Sequence, residues 1–191
     1  MPAELTTPVL PEGAGGILLP VARAAIAAKV GVEHPATADA EWLRATGACF
    51  VTLMRDARLR GCIGTLRAAR PLLDDVRHNA VAAAFHDPRF KPLTREEYRG
   101  ISLEVSVLSP LMPLDFADEP EALAQLRPGV DGLTFEFGHH RSTFLPQVWE
   151  SYRQPAEFLG RLKIKAGLPP DFWDAEVKLA RYVVSKWREQ E

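Results

Sequence analysis

A chain of 191 residues, 47% hydrophobic and 25% charged, is long enough to close a core without disulfides or a structural metal, and this composition excludes a largely disordered protein. The formal net charge of −2, from 23 basic and 25 acidic residues, argues against a general nucleic-acid binder, which needs a basic excess to neutralise phosphates. Two cysteines, Cys49 and Cys62, are too few for a stapled secreted fold, Met1–Glu12 lacks a basic leader, and no apolar run nears the ~20 residues that span a bilayer. A cytoplasmic protein with reduced thiols and no membrane contact is therefore expected.

Residues 1–14, with three prolines before Gly13, read as a loose tail, and 15–191 as one folded domain. Pro20 suits the first turn of a helix, where Val21, Ala24, Ala25 and Ala28 recur at helical spacing and Gly31 is the stop. Asp39 is a candidate cap for a short helix carrying Trp42 and Leu43. Gly47–Met54 alternates as a central strand, with Cys49, Val51 and Leu53 on one face and Phe50, Thr52 and Met54 on the other. A turn over Arg55–Arg58 leads to a second extended segment, Leu59–Leu66. Pro71 opens a helix to about Phe85 whose inner face carries Leu72, Leu73, Val76, Ala80 and Ala83.

Pro88 and Pro92 force a stiff loop, and Thr94 with Glu97 forms a candidate capping box. Ile101–Leu108 is the clearest strand, with Ile101, Leu103, Val105 and Val107 on one face and Ser102, Glu104, Ser106 and Leu108 on the other. A proline-rich connection, Ser109–Pro120, precedes a short helix, Glu121–Leu126, ended by Pro128-Gly129. Gly132–Phe137 and Ser142–Leu145 form a hairpin around Gly138–Arg141, with His139 and His140 pointing apart. Pro146–Tyr152 and Ala156–Lys165 read as helical, and Val177–Trp187 fits both helical and alternating patterns. Strands broken by short helices, without regular βαβ units, predict an α+β fold of mixed or antiparallel sheets with flanking helices.

The most unusual segment is Leu59-Arg60-Gly61-Cys62-Ile63-Gly64, in which two glycines flank a cysteine. Five arginines between Arg55 and Arg70 against the single acid Asp56 give a local charge of +4, a setting that favours thiolate. Cys62 thus reads either as a reactive or ligand-contacting thiol or as a small buried residue in a glycine-rich edge. In Phe85-His86-Asp87-Pro88-Arg89-Phe90, His86 and Arg89 are candidate ligand contacts, with Asp87 and Phe90 holding the loop. Glu104, mid-strand among apolar residues beside Ser106, is either a general base or the partner of a buried arginine such as Arg60. No metal or nucleotide pattern of the CxxC, HExxH, GxGxxG, GxxxxGK[ST] or GxSxG kind occurs in the sequence, so no metal site is expected and no cofactor is assigned.

Phe50–Leu53, Leu59–Thr65, Ala83–Phe90, Leu103–Leu108, Gly132-Leu133, Leu145–Trp149 and Lys165–Leu168, in this order, resemble the AMMECR family, called AmmeMemoRadiSam system protein A in bacteria and archaea. The resemblance spans roughly residues 15 to 187. It implies a larger and a smaller subdomain with a cleft between them, with Arg60-Gly61-Cys62-Ile63-Gly64 as the signature. It assigns no reaction, but it implies a pathway shared with a Memo-like protein and a radical-SAM protein. Two roles follow from these residues. One is an enzyme acting on a small anionic molecule, with Cys62 as nucleophile or ligand contact and Glu104 as acid/base; Arg60, Gly61, Gly64, His86, Arg89 and Ser106 would bind the substrate. The other is a non-catalytic partner presenting the signature loop to those proteins.

Overall fold

The computed structural model describes residues 10–36 and 38–190. Most of the expected tail, residues 1–9, lies outside them. In chain order the elements are α1 (Gly15–Lys29), a 3-10 turn (Glu41–Arg44), β1 (Thr46–Arg55), β2 (Arg58–Gly64), β3 (Arg70–Pro71), α2 (Leu72–Phe85), α3 (Arg95–Tyr98) and β4 (Ile101–Leu108). Then come β5 (Met112–Pro113), α4 (Glu119–Ala124), β6 (Gly132–Phe137), β7 (His140–Phe144), a second 3-10 turn (Pro146–Glu150), α5 (Pro155–Lys165), β8 (Lys178–Tyr182) and β9 (Val184–Arg188). The α+β class holds, and both sheets are antiparallel. Among the described residues no helix is long and apolar enough to cross a membrane.

The chain divides into two compact units, one running to Leu108 and completed by Ser185 onward, the other comprising Ser109–Val184. In the first, the strand order is β2-β1-β4-β9, with β3 paired to the start of β1. Alternation sends Cys49, Val51, Leu53, Leu103, Val105 and Val107 to one face, where they are buried with Leu18, Val21 and Ile26 of α1 and Val76, Ala80 and Ala83 of α2. α1 begins five residues before Pro20, which therefore lies inside the helix instead of in its first turn. The extra turn is held because Gly15, having no Cβ, lets the Trp187 ring lie against it; a Cβ there would come within 2.4 Å of the ring. Gly31 ends α1 as expected: at φ +69° it lets the Val32 amide donate to the Ala27 carbonyl at 2.9 Å. Asp39 caps nothing; the 3-10 turn follows Ala40, and the Asp39 carboxylate sits 3.6 Å from the Arg44 guanidinium, both exposed.

The second unit has the order β5-β8-β6-β7. Its core is built on Trp149 stacked flat on Phe158, with ring centroids 3.8 Å apart, among Leu133, Phe135, Leu159 and Leu162. Lys163 is fully buried there, donating from Nζ to Glu119 at 2.5 Å and to the Pro170 carbonyl at 3.3 Å. The hairpin turn is tighter than expected, because β7 starts at His140 and leaves only Gly138-His139 between the strands. The two histidines do not point apart: their ring centroids are 4.2 Å from each other, and His140 Nδ1 lies 2.8 Å from the Ala166 carbonyl at the end of α5. The segment that fits both helix and strand is strand, split at Val183 between the two sheets.

β1 and β2 are joined by the two-residue turn Asp56-Ala57, with φ of 50° and 58°, a hairpin geometry in which both central residues are left-handed. An alanine in that region costs roughly 1–2 kcal/mol that glycine avoids. Ala57→Gly should therefore raise stability by about 1 kcal/mol, seen as a higher urea midpoint at unchanged slope; an unchanged or lower midpoint would show that the turn carries no such strain.

Candidate functional site

The face of the first sheet opposite α1 and α2 carries Phe50, Thr52 and Met54 from β1. Register places Cys62 opposite Thr52, and Thr52 opposite Glu104 on the other side, so the three form one row across β2, β1 and β4. Gly64, Phe50 and Ser106 form the next row. Thr52 Oγ1 donates to Cys62 Sγ at 3.2 Å. Cys49 belongs to the core face, so the two thiols cannot meet, and both are free. Burial first, then the Asp75 charge, push the Cys49 thiol well above its usual range.

β2 is an edge strand, and Cys62 turns its backbone N–H and C=O away from β1. Both find partners in the loop after α2. The buried Asp87 carboxylate accepts the Cys62 N–H at 2.9 Å, and Arg89 donates from its guanidinium to the Cys62 carbonyl at 3.1 Å. Asp87 also takes Arg89 Nε at 2.9 Å, a terminal Arg89 N–H at 2.6 Å and the Arg89 amide at 3.1 Å. Pro88 favours the tight turn that allows this, closed by the Phe90 amide on the Asp87 carbonyl at 3.1 Å. The Arg89 hydrogen bonds, aided by the Cys62 and Arg89 amides, hold the Asp87 carboxyl well below the usual carboxylate range. Asp87 and Arg89 thus form an ion pair, and the pair grips Cys62 as well as the loop.

Arg60 is the extra residue of a bulge, because Met54 pairs with Leu59 while Leu53 pairs with Gly61. The bulge directs Arg60 to α3, where its Nε and a terminal nitrogen reach the two Glu97 oxygens at 3.2 and 3.0 Å, and it also donates to the Lys91 carbonyl at 2.9 Å. Arg55 shares the same carboxylate at 2.9 Å, and the Thr94 capping box closes around it. The Arg60 hydrogen bonds lead in lowering Glu97 from 4.5 to about 2.

Glu104 is consequently not the partner of Arg60. It is 7% exposed and meets Lys186 Nζ at 3.1 Å and Arg188 at 2.7 and 3.2 Å, both from β9. The bulge turns Arg60 toward α3, and β9 lies within the segment whose strand character the sequence left open. Glu104 and Cys62 share a face but stand two strands apart, about 10 Å at ordinary strand spacing, with Thr52 between them.

The other expected contacts separate. A Cβ on Gly61 would lie 2.2 Å from the Ala83 carbonyl oxygen, so Gly61 serves the approach of β2 to α2 on the core side. Gly64 is covered by the Phe50 ring, Ser106 is buried opposite Phe50, and His86 is exposed at the end of α2.

A buried polar group escaped the sequence reading. Fully buried Asp75 accepts from the Cys49 amide at 2.9 Å, from Thr65 Oγ1 at 2.8 Å and from Asn79 Nδ2 at 3.0 Å, with Arg70 Nε at 3.3 Å; Asn79 also donates to the Cys49 carbonyl at 3.0 Å. Its signal was two polar residues four apart on the apolar face of a helix.

The AMMECR1 family model matches residues 19–187. The chain belongs to the AMMECR1 family. It is 42% identical over 147 residues to Protein MJ0810 of Methanocaldococcus jannaschii, covering 75% of this chain and 73% of that protein. It is 39% identical over 195 residues to a protein of Aeropyrum pernix, covering 95% and 81%. Among solved structures it is similar to the uncharacterized protein PH0010 from Pyrococcus horikoshii, with a TM-score of 0.76, 34% identity and coverage of 92% and 91%. In this AMMECR1 chain the two segments that stand out, around Cys62 and around Asp87, are joined by the bonds on the Cys62 N–H and C=O. Among the described residues no group of three or more His, Cys, Asp or Glu side chains is placed to hold a metal ion.

Glu97 gives a pH test. Its pKa is lower folded than unfolded, so its ionised form stabilises the fold fully above about 4.5 and less as pH falls toward 2. Glu97→Gln keeps a capping-box side chain but removes the charge. The melting temperature of the native protein should fall more steeply than that of Glu97→Gln between about pH 6 and pH 3. Parallel curves would show that the Arg60–Glu97 pair contributes no pH-dependent stability.

Proposed function

We propose that this chain acts on a small anionic molecule at the outer face of the first sheet, with Cys62 as nucleophile or ligand contact. The observation that carries this reading is the grip of Asp87 on the Cys62 N–H and of Arg89 on the Cys62 carbonyl, while the residue stays only half-buried and its thiol accepts from Thr52. Fixing a side chain through its own backbone is how a reacting group is held in a productive geometry. Lys186 and Arg188 oppose one carboxylate, Glu104, leaving one excess positive charge for an anionic group. Glu104 then orients these cations and does not act as a base on Cys62. The family resemblance supports a cytoplasmic place beside a Memo-like protein and a radical-SAM protein.

A second reading, a non-catalytic partner of those proteins, draws on a different observation. Arg55, Arg60 and Arg89 are all engaged in ion pairs, while Leu59 and Leu66, on either side of the signature, are each 41% exposed. Thiol reactivity separates the two. In native protein treated with iodoacetamide, Cys62 should label at least about tenfold faster than Cys49, whose thiol is enclosed and whose thiolate is disfavoured. Equal, slow labelling of both cysteines would remove the nucleophile and leave the partner reading.

A further inference from the structure

The thiol and the cations of the outer face stand at opposite ends of one row across the first sheet. The row runs from Cys62 on β2 through Thr52 on β1 to Glu104 on β4, where Lys186 and Arg188 of β9 meet the Glu104 carboxylate. Cys62 and Glu104 are two strands apart, about 10 Å at ordinary strand spacing. Both ends are open: Cys62 is half-buried, and the Lys186 and Arg188 side chains are 47% and 62% exposed. The cations also keep donors to spare. Glu104 takes one contact from the Lys186 ammonium, and from Arg188 only Nε and one terminal nitrogen.

The ground between the two ends is low and flanked. Phe50, Thr52 and Met54 are all half-buried on this face of β1, so the small Thr52 lies between two larger side chains, each about 7 Å away along the strand. The Phe50 ring leans toward β2 and covers Gly64, where a Cβ would come within 2.2 Å of it. It therefore walls the row on that side at Cys62 as well as at Thr52. On β4 the neighbours of Glu104 on the same face are Ser102 and Ser106, both small.

We infer that the ligand of this face is elongated and singly charged: one end meets the Cys62 thiol, a narrow body lies over Thr52 between Phe50 and Met54, and a carboxylate or other monoanionic group rests on Lys186 and Arg188. The inference rests on the reading of Cys62 given above and adds a length and a charge to it. Two cations against the one Glu104 carboxylate leave a single positive charge, which matches a single negative charge on the ligand. A compact anion such as inorganic phosphate is too short to touch both ends of a gap of about 10 Å.

The test uses two matched pairs of alkylating probes on the native protein, with the rate of Cys62 labelling read by mass spectrometry. With each probe the Cys62 sulfur bonds to the probe's CH2 carbon, iodide leaves and the thiol proton passes to solvent. N-iodoacetyl-γ-aminobutyrate carries its carboxylate far enough to reach the cations, whereas iodoacetate does not. The butyrate should label Cys62 at least about threefold faster than its uncharged amide, the gain expected of one exposed charge contact, and added salt should erase the difference. Iodoacetate should show no such advantage over iodoacetamide. The advantage of the butyrate should be lost in Lys186→Gln, and likewise in Arg188→Gln once its melting temperature shows it folded. Equal rates for the two long probes, an advantage that survives both substitutions, or the same advantage for iodoacetate would each overturn the inference while leaving the nucleophile standing. Failure of all four probes to label Cys62 would remove the nucleophile, and this inference with it.

Discussion

The outermost strand of a sheet leaves every second pair of its backbone groups without a neighbour, and in β2 that pair at Cys62 is met by a carboxylate and a guanidinium instead of by another strand. This one exchange organises the first unit. It fixes the loop after α2 to the sheet edge and buries Asp87 with its charge satisfied. It also turns the Cys62 side chain toward Thr52 with little freedom in the backbone beneath it. A strand seeking to add to this edge finds the Cys62 amide and carbonyl already taken, so the same bonds guard against pairing with another chain.

The electrostatics follow from where the edge ends. A bulge takes Arg60 out of the pairing between β1 and β2 and places it on Glu97, where Arg55 joins it. The arginine-rich stretch around the signature is therefore largely matched by acids: Glu97 for Arg55 and Arg60, Asp75 for Arg70, Asp87 for nearby Arg89. Positive charge on the outer face comes instead from the last strand, through Lys186 and Arg188. A local count of charges along the chain points to the wrong cations, because a fold pairs residues by strand order and not by sequence distance.

That contrast also marks what was legible beforehand. Alternation in Ile101–Leu108 and helical spacing in Leu72–Phe85 name their elements and inward faces, because a sheet packed on two helices demands that pattern. The capping box at Thr94 and the stop at Gly31 were visible because each is a local rule of backbone bonding. The Glu104 partner was not, since it depends on β9 lying beside β4, more than eighty positions away in the chain. Nor was Gly61, whose two neighbours in sequence say nothing of the Ala83 carbonyl pressed against it. Asp75 and Asn79 were within reach: polar residues on the buried face of a helix signal partners in the core.

The direct test of the grip on Cys62 is amide hydrogen exchange, read residue by residue by NMR. The Cys62 N–H faces away from the sheet, so without Asp87 it would exchange as an exposed edge amide does. With Asp87 in place it should be protected to a degree comparable with inner-strand amides such as that of Val105, and Asp87→Ala should abolish that protection while leaving Val105 slow. Rapid exchange of the Cys62 amide in the native protein would contradict the account.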